Sequence, residues 1–158
     1  PMNPSHIENL EVGGASTQEL LQRLRDAAVE FNEYGEILFT HQDFEGPKNV
    51  RCVKIQRISV AELGFTEGPT YDEIITRALA RELSLCPLYL AAYLRLQYLE
   101  QPEGPYLTIA SKRPGDSDDY PSGLYLRNTE GKLWLRGYRA TWDYPWPLDH
   151  EFVFTKTS

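Results

Sequence analysis

The spacing of apolar residues changes character along this chain near residue 101. Before it, apolar positions recur at three- and four-residue steps, the period of a helix with one buried face. After it, they alternate in short runs broken by Pro, Gly and Asp, the period of half-buried strands. In "STQELLQRLRDAAVEFNEYG", Ser16 and Glu19 form a capping box, Leu20, Leu24, Ala27 and Phe31 share a stripe, and Gly35 is a stop, so one N-terminal helix is predicted over 16–35. "ILFTHQDFEGPKN" reads as a short strand and a turn-rich link, and the β-branched "VRCVKIQRISV" as a strand over 50–60. Thr70 and Glu73 make a second capping box, predicting a helix over 71–83 with Ile74, Ile75, Ala78 and Leu79 on its apolar side. A further helix over 87–99, opened by Pro87, completes a central helical pair joined as a hairpin or a sharp corner.

The last third predicts a small antiparallel sheet from "YLTIASK", "GLYLRN", "KLWLRGYR" and "EFVFTK". Its hairpin, 124–138, has a defined parity: burying Leu124, Leu126, Leu133 and Leu135 together puts Tyr125, Arg127, Lys132, Trp134, Arg136 and Tyr138 on the other face. A four-residue loop, 128–131, would set Tyr125 opposite Trp134, with Gly131 supplying a positive φ. The expected fold class is therefore α+β, a single domain over 1–158 with residues 1–15 loosely held.

Candidate chemistry gathers in the closing stretch "TWDYPWPLDHEFVF". Trp142, Tyr144 and Trp146 could pack as a clasp over the core, with Phe152 and Phe154 entering it as a strand, or they could stack on a ligand. Asp143, Asp149, His150 and Glu151 could instead supply the acid and base of a small hydrolase, including one directed at carbohydrate. On the hairpin face, rings interleaved with Arg127 and Arg136 suit a protein interface or a stacking platform. A formal net charge of -7 argues against nucleic acid and against an anionic membrane.

Other patterns exclude more than they suggest. Asp116, Asp118 and Asp119 resemble a cation loop, but an EF-hand counted from Asp116 would put Pro121 where glycine is needed and Arg127 where glutamate is needed. No zinc signature, phosphate loop or dinucleotide fingerprint occurs, so no metal or cofactor is expected. Cys86 precedes Pro87 at an expected helix start, which would favour thiolate if His41 or His150 came near it. The opening residues lack a basic segment followed by an apolar one, which predicts a cytoplasmic chain with Cys52 and Cys86 unpaired. No apolar run is long enough to span a bilayer, a length of about 18 residues.

The blocks "SVAELGFTEGPTYDEI", "ELSLCPLYLAAYLRLQYLEQPEGPYLTIAS", "DSDD" and "WDYPWPLDHEFVF" resemble, over roughly 55–154, a family of small uncharacterised bacterial proteins. That resemblance implies a bacterial single-domain protein and carries no activity, cofactor or site residue with it. The chain departs from the pattern at Asp119, where glycine would be expected. The sequence is thus read as a non-enzymatic binding or interaction domain for a protein or small ligand, with Tyr125, Arg127, Trp134, Arg136, Trp142, Asp143, Trp146 and His150 as its candidate surface; a hydrolase using the C-terminal carboxylates and His150 is the alternative.

Overall fold

A computed structural model describes residues 7–115, 117 and 119–156. The chain runs β1 (Ile7–Val12), α1 (Thr17–Asp26), β2 (Val29–Phe31), α2 (Glu33–Phe39), a 3-10 turn (Gln42–Phe44), β3 (Arg51–Ser59), α3 (Tyr71–Ala80), β4 (Leu83–Ser84), α4 (Leu90–Gln97), β5 (Leu107–Ile109), β6 (Gly123–Thr129), β7 (Lys132–Tyr138) and β8 (Glu151–Lys156). All the strands belong to one 8-stranded sheet in the order β1-β3-β8-β5-β6-β7-β2, with β4 also on β8. The sheet is mixed: β5 runs parallel to β8 and β2 parallel to β7, and the other pairs are antiparallel.

This corrects the expected small C-terminal sheet beside a helical half. The strands β1, β2 and β3 come from the first 59 residues and form both ends of the sheet that the C-terminal strands fill. Residues 1–6 of the segment expected to be loose lie outside the described residues, but Ile7–Val12 pairs with β3 along its whole length, from Ile7 with Gln56 to Val12 with Arg51. Leu10 and Val12 supply the reason, since both point into the core.

The expected 16–35 helix is two helices and a strand. Its capping box forms as predicted, Ser16 Oγ accepting from Glu19 N–H at 3.1 Å and Glu19 Oε1 from Ser16 N–H at 3.0 Å. The helix stops at Asp26 because Ala28 turns to a φ of 59° and sends Val29–Phe31 into the sheet beside Leu133–Leu135. There Asn32 does two jobs. Its Oδ1 caps α2 by accepting from Gly35 N–H at 2.9 Å. Its amide also exchanges two 2.8 Å hydrogen bonds with the Gly137 backbone, extending the ladder past the end of β2. The "ILF" read as a strand belongs to α2.

The central helices are not a hairpin. The capping box of Thr70 and Glu73 starts α3, but α3 ends at Ala80, Glu82 takes a φ of 63°, and Leu83–Ser84 joins the sheet as β4. The helix expected from Pro87 begins at Leu90. Strand alternation separates the two helices: Phe152 and Phe154 pack with Ile74 and Ala78 of α3, whereas Val153 packs with Leu90 and Leu94 of α4. The two helices therefore cover opposite faces of the sheet, and Leu79, expected in the α3 stripe, is exposed.

The hairpin keeps its predicted parity and loses its predicted register. Leu126 pairs with Leu135, Tyr125 with Arg136 and Arg127 with Trp134, so the proposed Tyr125–Trp134 pair is displaced by two residues. The cause is the turn. Glu130 and Gly131 both adopt positive φ, 56° and 75°, the signature of a two-residue loop whose twist matches that of the strands. A shift of two preserves every face, so all four leucines still point to the core under α1 and α4, with Leu133 only partly buried.

Candidate functional site

On the α3 face of the sheet, β5, β6 and β7 carry Thr108, Tyr125 and Tyr138, and the segment 139–150 folds back across them to close a cleft of about 650 Å³. The segment is fixed at both ends. Near its start, Ala140 N–H donates to Ser122 Oγ at 3.1 Å. Further on, Trp146 N–H donates to Pro69 O at 2.9 Å and Val60 N–H to His150 O at 3.0 Å. Gly68 permits the close approach, because a Cβ there would lie 2.9 Å from the Trp146 carbonyl oxygen.

The walls are rings set at steep angles. Tyr144 and Trp146 meet at 88° with centroids 5.1 Å apart, and Tyr138 and Trp146 at 88° and 5.8 Å. Tyr106 and Tyr125 meet at 72° and 5.3 Å, and Trp146 and His150 at 66° and 4.8 Å. Trp146 is the buried anchor at 5% exposure, while Tyr106 and Tyr144 stand at the rim, 43% and 41% exposed. The indole N–H of Trp146 and the hydroxyl of Tyr138 are buried, so what these two residues show to the cleft is ring carbon.

His150 is the perturbed base of the cleft. Burial pushes its pKa down to about 4, against a weaker upward pull from the Asp149 carboxylate, so the imidazole is neutral at neutral pH. Its Nε2 lies 2.6 Å from Thr108 Oγ1, and its ring lies nearly parallel to that of Tyr106, at 18° and 6.0 Å.

The candidate residues from the sequence divide. Tyr125, Trp146 and His150 meet in the cleft. Arg127 stands just outside it, its guanidinium 4.3 Å from the Tyr106 ring centre and donating to the Tyr106 hydroxyl at 3.1 Å. Trp134 and Arg136 lie elsewhere on the same sheet face, stacked on one another at 3.9 Å. Trp142 and Asp143 point to solvent and do not line the cleft, and Trp142 is 66% exposed. Sequence reasoning missed Tyr106, Thr108 and Arg139, which line the cleft too. Thr108 and Tyr106 were hidden because only the parallel pairing of β5 with β8 brings them to His150.

The carboxylates do not assemble an acid–base pair around His150. Glu151 follows it directly on a strand and so faces the other side of the sheet, where it binds Arg57 Nη2 at 2.7 Å. Burial lowers the Arg57 pKa, but the hydrogen bonds it donates to Glu151 and Tyr98 outweigh that and leave the guanidinium held above its ordinary value. Asp149 alone among the described carboxylates lines the cleft. Cys86 is no nucleophile: α4 starts four residues after it, and burial raises the thiol pKa far above the usual range while the thiol rests 3.4 Å from Val153 O. Cys86 and Cys52 are both free thiols. Asp116 and Asp118 of the aspartate loop lie outside the described residues, and Asp119 pairs with Arg139 at 3.2 Å. Among the described residues no three His, Cys, Asp or Glu side chains come together as metal ligands, and no helix is long and apolar enough to cross a membrane. Compared with protein-family models, with curated proteins and with solved structures, the chain finds no match in any of the three.

Proposed function

We propose that this protein is a non-enzymatic binding domain whose site is the ring-walled cleft between the sheet and the 139–150 segment. The observation that carries the reading is the division of labour among the rings: Trp146 is sealed into the core, yet Tyr106 and Tyr144, which line the same cavity, are left open to water. Aromatic surface held half in water around a concavity is the arrangement that small-ligand sites use. The cleft volume of about 650 Å³ falls in the small-ligand range, so the ligand is a small molecule or one side chain of a partner protein. The two free thiols, one exposed and one buried, favour a reducing compartment, which on this reading is the cytoplasm.

Ligand screening by NMR tests the proposal. A library of small ring-bearing fragments should yield binders that shift the Trp146 indole and His150 imidazole resonances and lose this effect in Tyr144→Ala. A library without such binders, or binders that shift only signals remote from the cleft, would refute it.

A further inference from the structure

We infer that the cleft takes a quaternary ammonium group, the positively charged, fully methylated nitrogen of a choline-like molecule or a trimethylated lysine. The inference rests on the binding reading above and names the chemistry of its ligand. The geometry comes first. A tetrahedral, methylated cation touches its surroundings in several directions at once, and so it is held by rings that meet at steep angles rather than by one flat platform. Tyr144, Trp146 and Tyr138 supply such walls, each Tyr standing at 88° to the indole. A sugar would instead look for hydrogen-bonding groups around a flat ring, and two of the polar handles available here, Trp146 Nε1 and the Tyr138 hydroxyl, are buried.

Charge points the same way. Asp149 lines the cleft, and the chain as a whole carries a formal net charge of -7. The imidazole of His150 is neutral at neutral pH and so does not oppose a cation. Arg139, the one basic side chain lining the cleft, is engaged by Asp119 at 3.2 Å on the exposed rim. Methylation decides between cations. A bare ammonium gives up several hydrogen bonds to water, and ring faces do not replace them; Asp149 supplies one acceptor, while Thr108 Oγ1 is already committed to His150 at 2.6 Å. A methylated nitrogen has no N–H to satisfy. Single rings of this protein already face cations, Arg127 over Tyr106 at 4.3 Å and Arg77 over Phe65 at 4.2 Å.

The test is a pair of NMR titrations on the intact protein with choline and with 3,3-dimethylbutanol, which has the same shape and no charge. Choline should shift the Trp146 indole and bind at least about tenfold more tightly than the alcohol. Ammonium chloride at equal ionic strength should leave that signal in place. Asp149→Asn and Tyr144→Leu, both at exposed positions, should each weaken choline binding several-fold while the folded spectrum is kept. A capped trimethyl-lysine titrated alongside identifies the source of the group: tighter binding than choline indicates a modified side chain, weaker binding a free small molecule. Equal affinity for choline and the alcohol would overturn the inference and leave the binding reading standing. So would fragments that bind at Trp146 where choline does not. Failure of choline and of every ring-bearing fragment would overturn both.

Discussion

Beneath α1 and α4 the sheet is paved with aliphatic side chains: Leu124, Leu126 and Leu135 from the hairpin, Leu107 and Ile109 from β5, Val153 from β8. The opposite face carries rings, Phe152 and Phe154 from β8 and Tyr138 from β7, met by Tyr71 of α3 and Trp146 of the folded-back segment. The first face is sealed by helices along its length. The second is sealed by α3 only over β8 and its neighbours, and over β5, β6 and β7 it is covered by an extended segment that leaves a cavity. Branched aliphatic chains fill space in many orientations and close a core against water, whereas rings keep a flat surface and a fixed edge even when half exposed. One face is thus built to be stable, and the end of the other is built to stay open.

The largest effect that could break this comparison belongs to Trp146. It bridges the two roles, since it is 5% exposed and also lines the cleft. Trp146→Ala should cost about 3–5 kcal/mol in chemical denaturation, as buried tryptophans do. Leu126→Ala, fully buried on the aliphatic face, should cost about 2–5 kcal/mol. A Trp146 variant as stable as the parent would mean that the aromatic face contributes nothing to the core.

An intermediate effect distinguishes the faces by pH. The folded-state pKa of His150 is about 4, below the ordinary 6.5, so the unfolded chain binds the extra proton first. His150 therefore removes stability as pH falls from about 6.5 towards about 4, and has no effect above that window. Denaturation midpoints measured across this range should fall less steeply in His150→Gln than in the parent; identical slopes would place the imidazole in an ordinary solvated setting.

The smallest effect is expected at Trp142. Despite the size of its ring it is 66% exposed and outside the cleft, and Trp142→Ala should change stability by less than about 0.5 kcal/mol. A loss like that of Trp146 would mean that the Trp142 ring is a further anchor of the 139–150 segment.

How much of this was legible in the sequence follows from the range over which each signal acts. The caps of α1 and α3 were, because Ser16 with Glu19 and Thr70 with Glu73 are short-range hydrogen bonds between residues three apart. The faces of the hairpin were as well, because parity survives a wrong turn. So was the burial of Phe152 and Phe154. The breaks at Ala28 and Glu82 were not, because each places an ordinary residue at positive φ, which the sequence marks with glycine only when the strain is not held by neighbouring pairing. The parallel pairs β2–β7 and β5–β8 join segments far apart in the chain, and nothing local announces them. The cleft inherits that limit. Trp146 and His150 were visible as an aromatic and titratable cluster, but Thr108 and Tyr106 reach them only through β5, and Glu151, their neighbour in sequence, is removed to the other face by the strand itself.

The central claim is that the open rings are kept for binding and the sealed ones for stability, and Tyr144→Ala tests it most directly. Tyr144 is 41% exposed and forms one wall of the cleft against Trp146. Thermal unfolding and ligand titration of the same variant should separate: a melting temperature within about 2 °C of the parent, together with loss of the shifts that ligands induce at the Trp146 indole. A clear fall in melting temperature with those shifts intact would contradict the account and make Tyr144 one more part of the clasp.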